Sequence, residues 1–231
     1  SYVKDEELGK YVISDDKKNS VPNYDSRFKT LLPRMWNTEA PRVKQYKRWS
    51  RFEGKPIQTV DNSGKQVVIN TPTLGENLRY LFSYQIDWMY FRYFMWNFSG
   101  RQNDIQGHGN VRDGNWITGI KFIDEFRLGN QDFLPESVTE NRANNKYYMF
   151  PFILGLIGLF FQFKTNRNNG VIVLLLFFFT GLAIVLYLNQ YPLQPRERDY
   201  AYAASFYAFA IWIGLGVMAI SDLLSKKLSG K

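Results

Sequence analysis

The chain changes character along its length. Its final 85 residues, Tyr147–Lys231, hold three long apolar runs joined by short polar links. Tyr147–Phe163 (YYMFPFILGLIGLFFQF) carries no charge, Val171–Leu188 (VIVLLLFFFTGLAIVLYL) is almost wholly apolar, and Tyr200–Ser221 (YAYAASFYAFAIWIGLGVMAIS) has 22 uncharged residues. As helices, the first run reaches about 25 Å and the third about 33 Å, close to the thickness of a bilayer core. Three buried helices of a soluble α-domain would need amphipathic cover that so short a stretch does not contain. The pattern predicts three membrane spans, 147–163, 171–188 and 200–221.

The first 146 residues are polar and aromatic instead. Tyr2, Val3, Tyr11, Val12 and Ile13 alternate loosely around a Leu-Gly-Lys turn, which suggests a hairpin within 1–20. Residues 21–50 are basic and aromatic, with Pro22, Pro33 and Pro41 expected to interrupt any long helix. KPIQTV and KQVVIN flank DNSG, a second hairpin over 55–70. Thr73-Leu-Gly-Glu76 fits a capping box, so a helix begins there. Leu81, Tyr84, Trp88, Phe91, Met95 and Phe98 then form one helical stripe. Arg79, Asp87 and Arg92 make this segment a poor span. It either lies at the outer interface against membrane helices or forms the core of the polar region; a 3.6-residue stripe reports burial without naming the partner.

Three regions follow: an extracytoplasmic mixed α+β region at 1–71, the aromatic helix with a Gly-rich polar loop at 72–146, and a three-helix transmembrane region at 147–231. The fold class is a mainly α integral membrane protein.

Charge orients it. Residues 147–231 carry seven basic and three acidic side chains and the first 146 carry 22 and 18, so each part is +4 and the total is +8. Lys164 and Arg167 in the short link, and Lys226, Lys227 and Lys231 at the end, read as cytoplasmic by the positive-inside rule. The link NQYPLQPRERD and residues 1–146 then lie outside, with Tyr147, Tyr148, Tyr187, Tyr191, Tyr200 and Tyr202 at the outer boundary. Small residues in the spans (Gly155, Gly158, Ala204, Ala208, Ala210, Gly214) invite close packing with further helices. The chain opens on Ser1 with no signal peptide and reads as a piece of a longer one.

Composition removes several chemistries. With no Cys there are no disulfides, thiolate zinc sites or cysteine nucleophiles, and a single His excludes an HExxH site. No metal and no cofactor are expected. The small basic excess in each part argues against nucleic acid, and no charge inside a span marks a transport path.

Two segments carry candidate chemistry. SGRQNDIQGHGNVRDGNW, residues 99–116, is rich in Gly and in hydrogen-bonding groups, suited to a sugar or phosphate; its spacing is not that of an EF-hand. Arg101, Gln102, Asp104 and His108 are its candidate acceptor or sugar contacts, together with Tyr191 and Tyr200. Asp104 and His108 suggest a general-base pair, with no nucleophile evident. An ordered surface loop is the plainer alternative. In the second outer link, Pro192 and Pro195 hold the chain extended, and Arg196 and Arg198 stand at the lip of a membrane helix. A guanidinium fork at that depth suits a lipid phosphate; simple anchoring through Arg–Glu and Arg–Asp pairs is the alternative.

Three stretches together, PTLGENLRYLFSYQIDWMYFRYFMWNFSGRQNDIQGHG (72–109), NKYYMFPFILGLIGLFFQF (145–163) and LYLNQYPLQPRERDYAYAASFYAFAIWIGLG (186–216), resemble the bacterial family known as domain of unknown function 2723, also filed as glycosyltransferase family 117 and described as protein O-mannosyltransferase-like. The resemblance is strong over 72–216 and weak over 1–71. It implies a GT-C-type protein of the bacterial inner membrane, with residues 1–146 on the periplasmic side. It also implies a polyprenyl-phosphate sugar donor, held here by Arg196 and Arg198, membrane lipids around the spans, and upstream transmembrane helices of the same protein as partners. The family's acidic catalytic position lies in a first outer loop upstream of these residues, so the piece alone is expected to be inactive. A non-enzymatic membrane scaffold or partner of envelope export machinery is the alternative.

Overall fold

The computed structural model describes residues 2–13, 24–61 and 63–229; Ser1, Pro22, Asn62 of the second turn, and Lys231 lie outside them. With 55% of residues helical, the protein is mainly α. Strands β1 (Tyr2–Asp5) and β2 (Lys10–Ile13) form an antiparallel hairpin with exposed faces, and β3 (Lys55–Val60) and β4 (Gln66–Thr71) form a second. Between them lies α1 (Ala40–Ser50). Pro41 does not interrupt this helix but starts it, sitting in the first turn where its missing N–H costs nothing.

The capping box forms. Thr73 Oγ1 accepts from the Glu76 N–H at 3.2 Å, and the Glu76 carboxylate accepts from Thr73 N–H at 2.7 Å. The same carboxylate accepts from the N–H groups of Glu53 (2.6 Å) and Gly54 (2.8 Å), which ties the entry of β3 to the helix start. Burial opposes ionisation of Glu76, but these hydrogen bonds outweigh it and lower its pKa from 4.5 to about 2.

Helix α2 (Leu74–Tyr80), a π-helical segment (Leu81–Phe91) and α3 (Arg92–Phe98) run on without a break. The Arg92 N–H returns to the Asp87 carbonyl, five residues back. This continuous rod packs on two sides. Its first half packs under α1, with Tyr46 on Tyr80 (ring centroids 4.9 Å) and Trp49 on Tyr84 (5.3 Å). Its second half inserts among the apolar helices, with Phe94 and Phe98 each 4.7 Å from Phe209. Two aromatic clusters, one around Tyr80, Tyr84, Trp88 and Tyr202, the other around Phe94, Met95, Phe98, Phe209 and Trp212, therefore share one backbone.

After the Gly-rich loop come β5 (Gly100–Arg101), α4 (Lys121–Leu128), α5 (Glu136–Thr139) and β6 (Asn145–Lys146), with β5 and β6 paired. Helix α6 spans Phe150–Thr165. It starts later than the apolar run because Tyr148 and Met149 take left-handed backbone conformations (φ 53° and 60°). At 16 residues it is shorter than a typical span. Among the described residues, helices α7 (Arg167–Thr180) and α8 (Leu182–Leu188) together, and the stretch ending in α9 (Ala203–Ser229), are the two long and apolar enough to cross a membrane. Their outward faces are apolar as well: Ile172 is 64% exposed, Phe179 59% and Met218 56%. An apolar surface of that extent marks contact with lipid or other helices rather than water.

Glycine sets the helix spacing. A Cβ on Gly158 would lie 1.7 Å from the Trp212 carbonyl oxygen, and one on Gly216 would lie 2.1 Å from that of Leu154, so α6 and α9 meet backbone to backbone. At Gly181, between α7 and α8, the Tyr90 hydroxyl stands where a Cβ would be, at 2.5 Å. The second apolar helix is therefore broken where the aromatic rod passes it.

Candidate functional site

The link between the two long apolar helices is stitched to the rod, and to Trp36 and the Gly-rich loop, through its own backbone. The Gln190 carbonyl accepts from Tyr80 Oη (3.0 Å) and Gln85 Nε2 (2.9 Å). Tyr191 O accepts from Tyr84 Oη at 3.2 Å, and Gln194 O from Gln106 Nε2 at 2.7 Å. Asn189 O accepts from Trp36 Nε1 at 2.9 Å.

Within Arg196-Glu197-Arg198 the middle residue is the anchor. Arg92, 2% exposed, pairs with Glu197 through both terminal nitrogens, at 2.9 and 3.3 Å. Its Nε donates to Trp88 O (2.9 Å) and its Nη1 to Gly114 O (2.8 Å). Trp88, Tyr93 and Trp96 enclose the guanidinium, 4.2, 4.3 and 4.5 Å from their ring centroids. Tyr93 Oη donates to Glu197 and accepts from the Arg198 N–H at 3.1 Å. Arg196 is exposed, lies over the Tyr200 ring at 5.4 Å and pairs with no carboxylate among the described residues. Arg198 is half-buried, and its Nε has no hydrogen-bond partner among the described residues. Arg196 and Tyr200 are thus brought together, and Arg198 joins them through the same short link.

The other sequence candidates have different surroundings. Gln102 is buried and committed internally: its Oε1 accepts from Asn115 Nδ2 (2.8 Å) and its Nε2 donates to Val111 O (3.1 Å). Arg101 stacks on Trp96 at 4.0 Å and donates to Asn103 O. Asp104 and His108 are both exposed; Asp104 accepts from Asn141 Nδ2 at 3.3 Å, and no hydrogen bond joins it to His108 among the described residues. Tyr191 carries the Arg42 guanidinium at 4.0 Å on its ring and meets Trp36 edge-on.

Sequence reasoning missed a cavity of about 290 Å³ on the rod. Trp49 of α1, Asp87, Trp88 and Arg92 of the rod, Asn110, Asn115 and Trp116 of the Gly-rich loop, and Arg127 of α4 line it. Gly109 (φ +83°) permits the loop's approach, since a Cβ there would strike the Trp49 ring at 2.5 Å. Arg127 lies 3.4 Å over Trp116 and donates to the Trp116 carbonyl at 2.9 Å. Asp87 keeps accessible surface, yet the surrounding protein excludes enough water that burial raises its pKa, with Arg127 and Arg92 pulling the other way. Burial likewise lowers that of Arg127. Asp87 also borders a second, almost wholly apolar groove of about 380 Å³, walled by Phe91, Phe94, Phe152, Phe177 and Phe209. The signal for this arrangement was present: Asp87 and Arg92 are charges five residues apart inside an otherwise aromatic segment, and such charges are expensive unless they serve a purpose.

Residues 1–82 match the family model described as "Family of unknown function (DUF8416)". The match takes in both hairpins, α1 and the first third of the rod, and ends short of Asp87. No curated protein and no solved structure matches the chain.

Proposed function

We propose that the chain is part of a multi-pass, glycosyltransferase-like protein of the bacterial inner membrane that helps transfer a sugar from a polyprenyl-phosphate donor on the periplasmic face. In this reading α6 is a short third span beside the two long ones. Residues 1–146 stand outside, and Lys164, Arg167, Lys226 and Lys227 mark the cytoplasmic ends. The resemblance of residues 72–216 to the 2723 family supplies the reaction class.

One observation carries the donor assignment. Glu197 is engaged by buried Arg92, so it does not neutralise its neighbours, and exposed Arg196 stands unopposed at the head of an apolar helix. A phosphate at the membrane surface would meet there a guanidinium held by Tyr200 and paired with no carboxylate among the described residues, with half-buried Arg198 two residues on. The apolar groove bordered by Asp87 offers a track for the hydrocarbon part of such a donor.

The test is a transfer assay on the complete protein with polyprenyl-phosphate sugars. Arg196→Ala and Arg198→Ala together are expected to weaken donor binding and turnover at least tenfold. Wild-type binding and activity in that variant would remove the donor assignment. Reporter fusions after Asp104 and Lys227 are expected to report opposite compartments; the same compartment for both would remove the topology.

A further inference from the structure

The cavity between α1, the rod, the Gly-rich loop and α4 has a composition that the donor site does not explain. We propose that it is a binding site for one uncharged pyranose ring, distinct from any phosphate site at Arg196.

Its walls fit that class. Three indoles, Trp49, Trp88 and Trp116, line a space of about 290 Å³. A pyranose presents C–H groups on its faces and hydroxyls around its rim, so it needs flat apolar walls and a few polar groups at the edge. Asp87 supplies a carboxylate that accepts no hydrogen bond among the described residues, leaving both oxygens for ring hydroxyls. Asn115 and Asn110 border the same space from the loop. The volume lies near the lower limit of small-molecule sites, about 300 Å³, and suits a single ring better than an oligosaccharide.

The charge balance decides between a neutral ring and an anion. Two guanidiniums reach the cavity. Arg92 is neutralised by Glu197 at 2.9 Å, and Arg127 is acted on by Asp124 and Asp87. Counted with Glu197, the lining side chains Asp87, Arg92 and Arg127 balance, and they leave no positive excess for a phosphate. Both guanidiniums are also stacked on indoles, Arg92 on Trp88 and Arg127 on Trp116, which fixes the rings as walls.

This inference goes beyond the transferase reading and does not need it, so it is tested by binding. The chain in detergent is titrated with methyl α-mannopyranoside, methyl β-glucopyranoside and methyl β-galactopyranoside, with inorganic phosphate alongside, and intrinsic tryptophan fluorescence is read. At least one glycoside is expected to give a saturable change, phosphate none, and Asp87→Asn an affinity at least tenfold weaker. Should that variant not fold, carbodiimide labelling of Asp87 in the unaltered protein replaces it, with mass spectrometry showing protection by the same glycoside. A response to phosphate alone, or no saturable response and no protection by any glycoside up to 50 mM or about that level, overturns the assignment. Binding without transfer activity would keep this site and discard the transferase; transfer activity without binding here would do the reverse.

Discussion

Glu197→Gln is the sharpest probe of how the outer link is held. The change keeps the side chain's shape and removes its charge. It leaves Arg92, 2% exposed, as a buried guanidinium without a counter-ion. Removing one partner of a buried pair costs about 3–5 kcal/mol. Here two effects reduce that figure. Arg92 keeps its bonds to the carbonyls of Trp88 and Gly114, and Glu197 retains 18% of its side-chain exposure, so part of the pair is already wet. The remaining loss is about 2–3 kcal/mol, which for a chain of this size lowers the melting temperature by roughly 4–12 °C. Thermal melts in detergent measure it, and a double-mutant cycle with Arg92→Met isolates the pair. The coupling is expected to exceed about 1 kcal/mol. A coupling under about 0.5 kcal/mol would show that the aromatic enclosure, not the carboxylate, holds Arg92, and the account of why Arg196 stands unopposed would fall with it.

Three further results are expected. Gly158→Ala drives a methyl into the Trp212 carbonyl and separates α6 from α9, costing about 1–3 kcal/mol, whereas Gly214→Ala meets open space and leaves the melting temperature unchanged or slightly raised. The Glu76 carboxyl has a folded-state pKa below its ordinary value, so its contribution is complete above pH 4.5 and disappears as the pH falls toward 2; about 2 kcal/mol of stability should vanish over that window, and Glu76→Gln should flatten it in pH-dependent melts. Gly181→Ala should push against the Tyr90 hydroxyl and lower the melting temperature, and Tyr90→Phe in the same chain should restore part of the loss; no restoration would dissociate the break in the second apolar helix from the rod.

Local features were legible. The capping box at Thr73–Glu76 forms as its spacing demands, KPIQTV and KQVVIN pair as a hairpin, and the apolar runs at 171–188 and 200–221 lie within helices. Each depends on residues only a few positions apart. The run at 147–163 yields a shorter helix because Tyr148 and Met149 adopt left-handed turns that hydropathy does not register. The decisive contacts were not legible for a different reason. Arg92 and Glu197 are 105 residues apart, and Trp49, Asp87, Trp116 and Arg127 come from four separate segments. Periodicity states that a face is covered, but not by what. Gln102 illustrates the converse: its composition suggested a ligand contact, while its amide completes the loop's own hydrogen bonding.

Four main-chain carbonyls of the link between the two long apolar helices are held from outside it, Gln190 and Tyr191 by the rod, Asn189 by Trp36 and Gln194 by Gln106 of the Gly-rich loop. Every residue type brings the same carbonyl. The mooring through these carbonyls is thus indifferent to what Leu193, Pro195 or Arg196 happens to be, and these positions form a rim that can be rewritten without unfastening the strand that carries it.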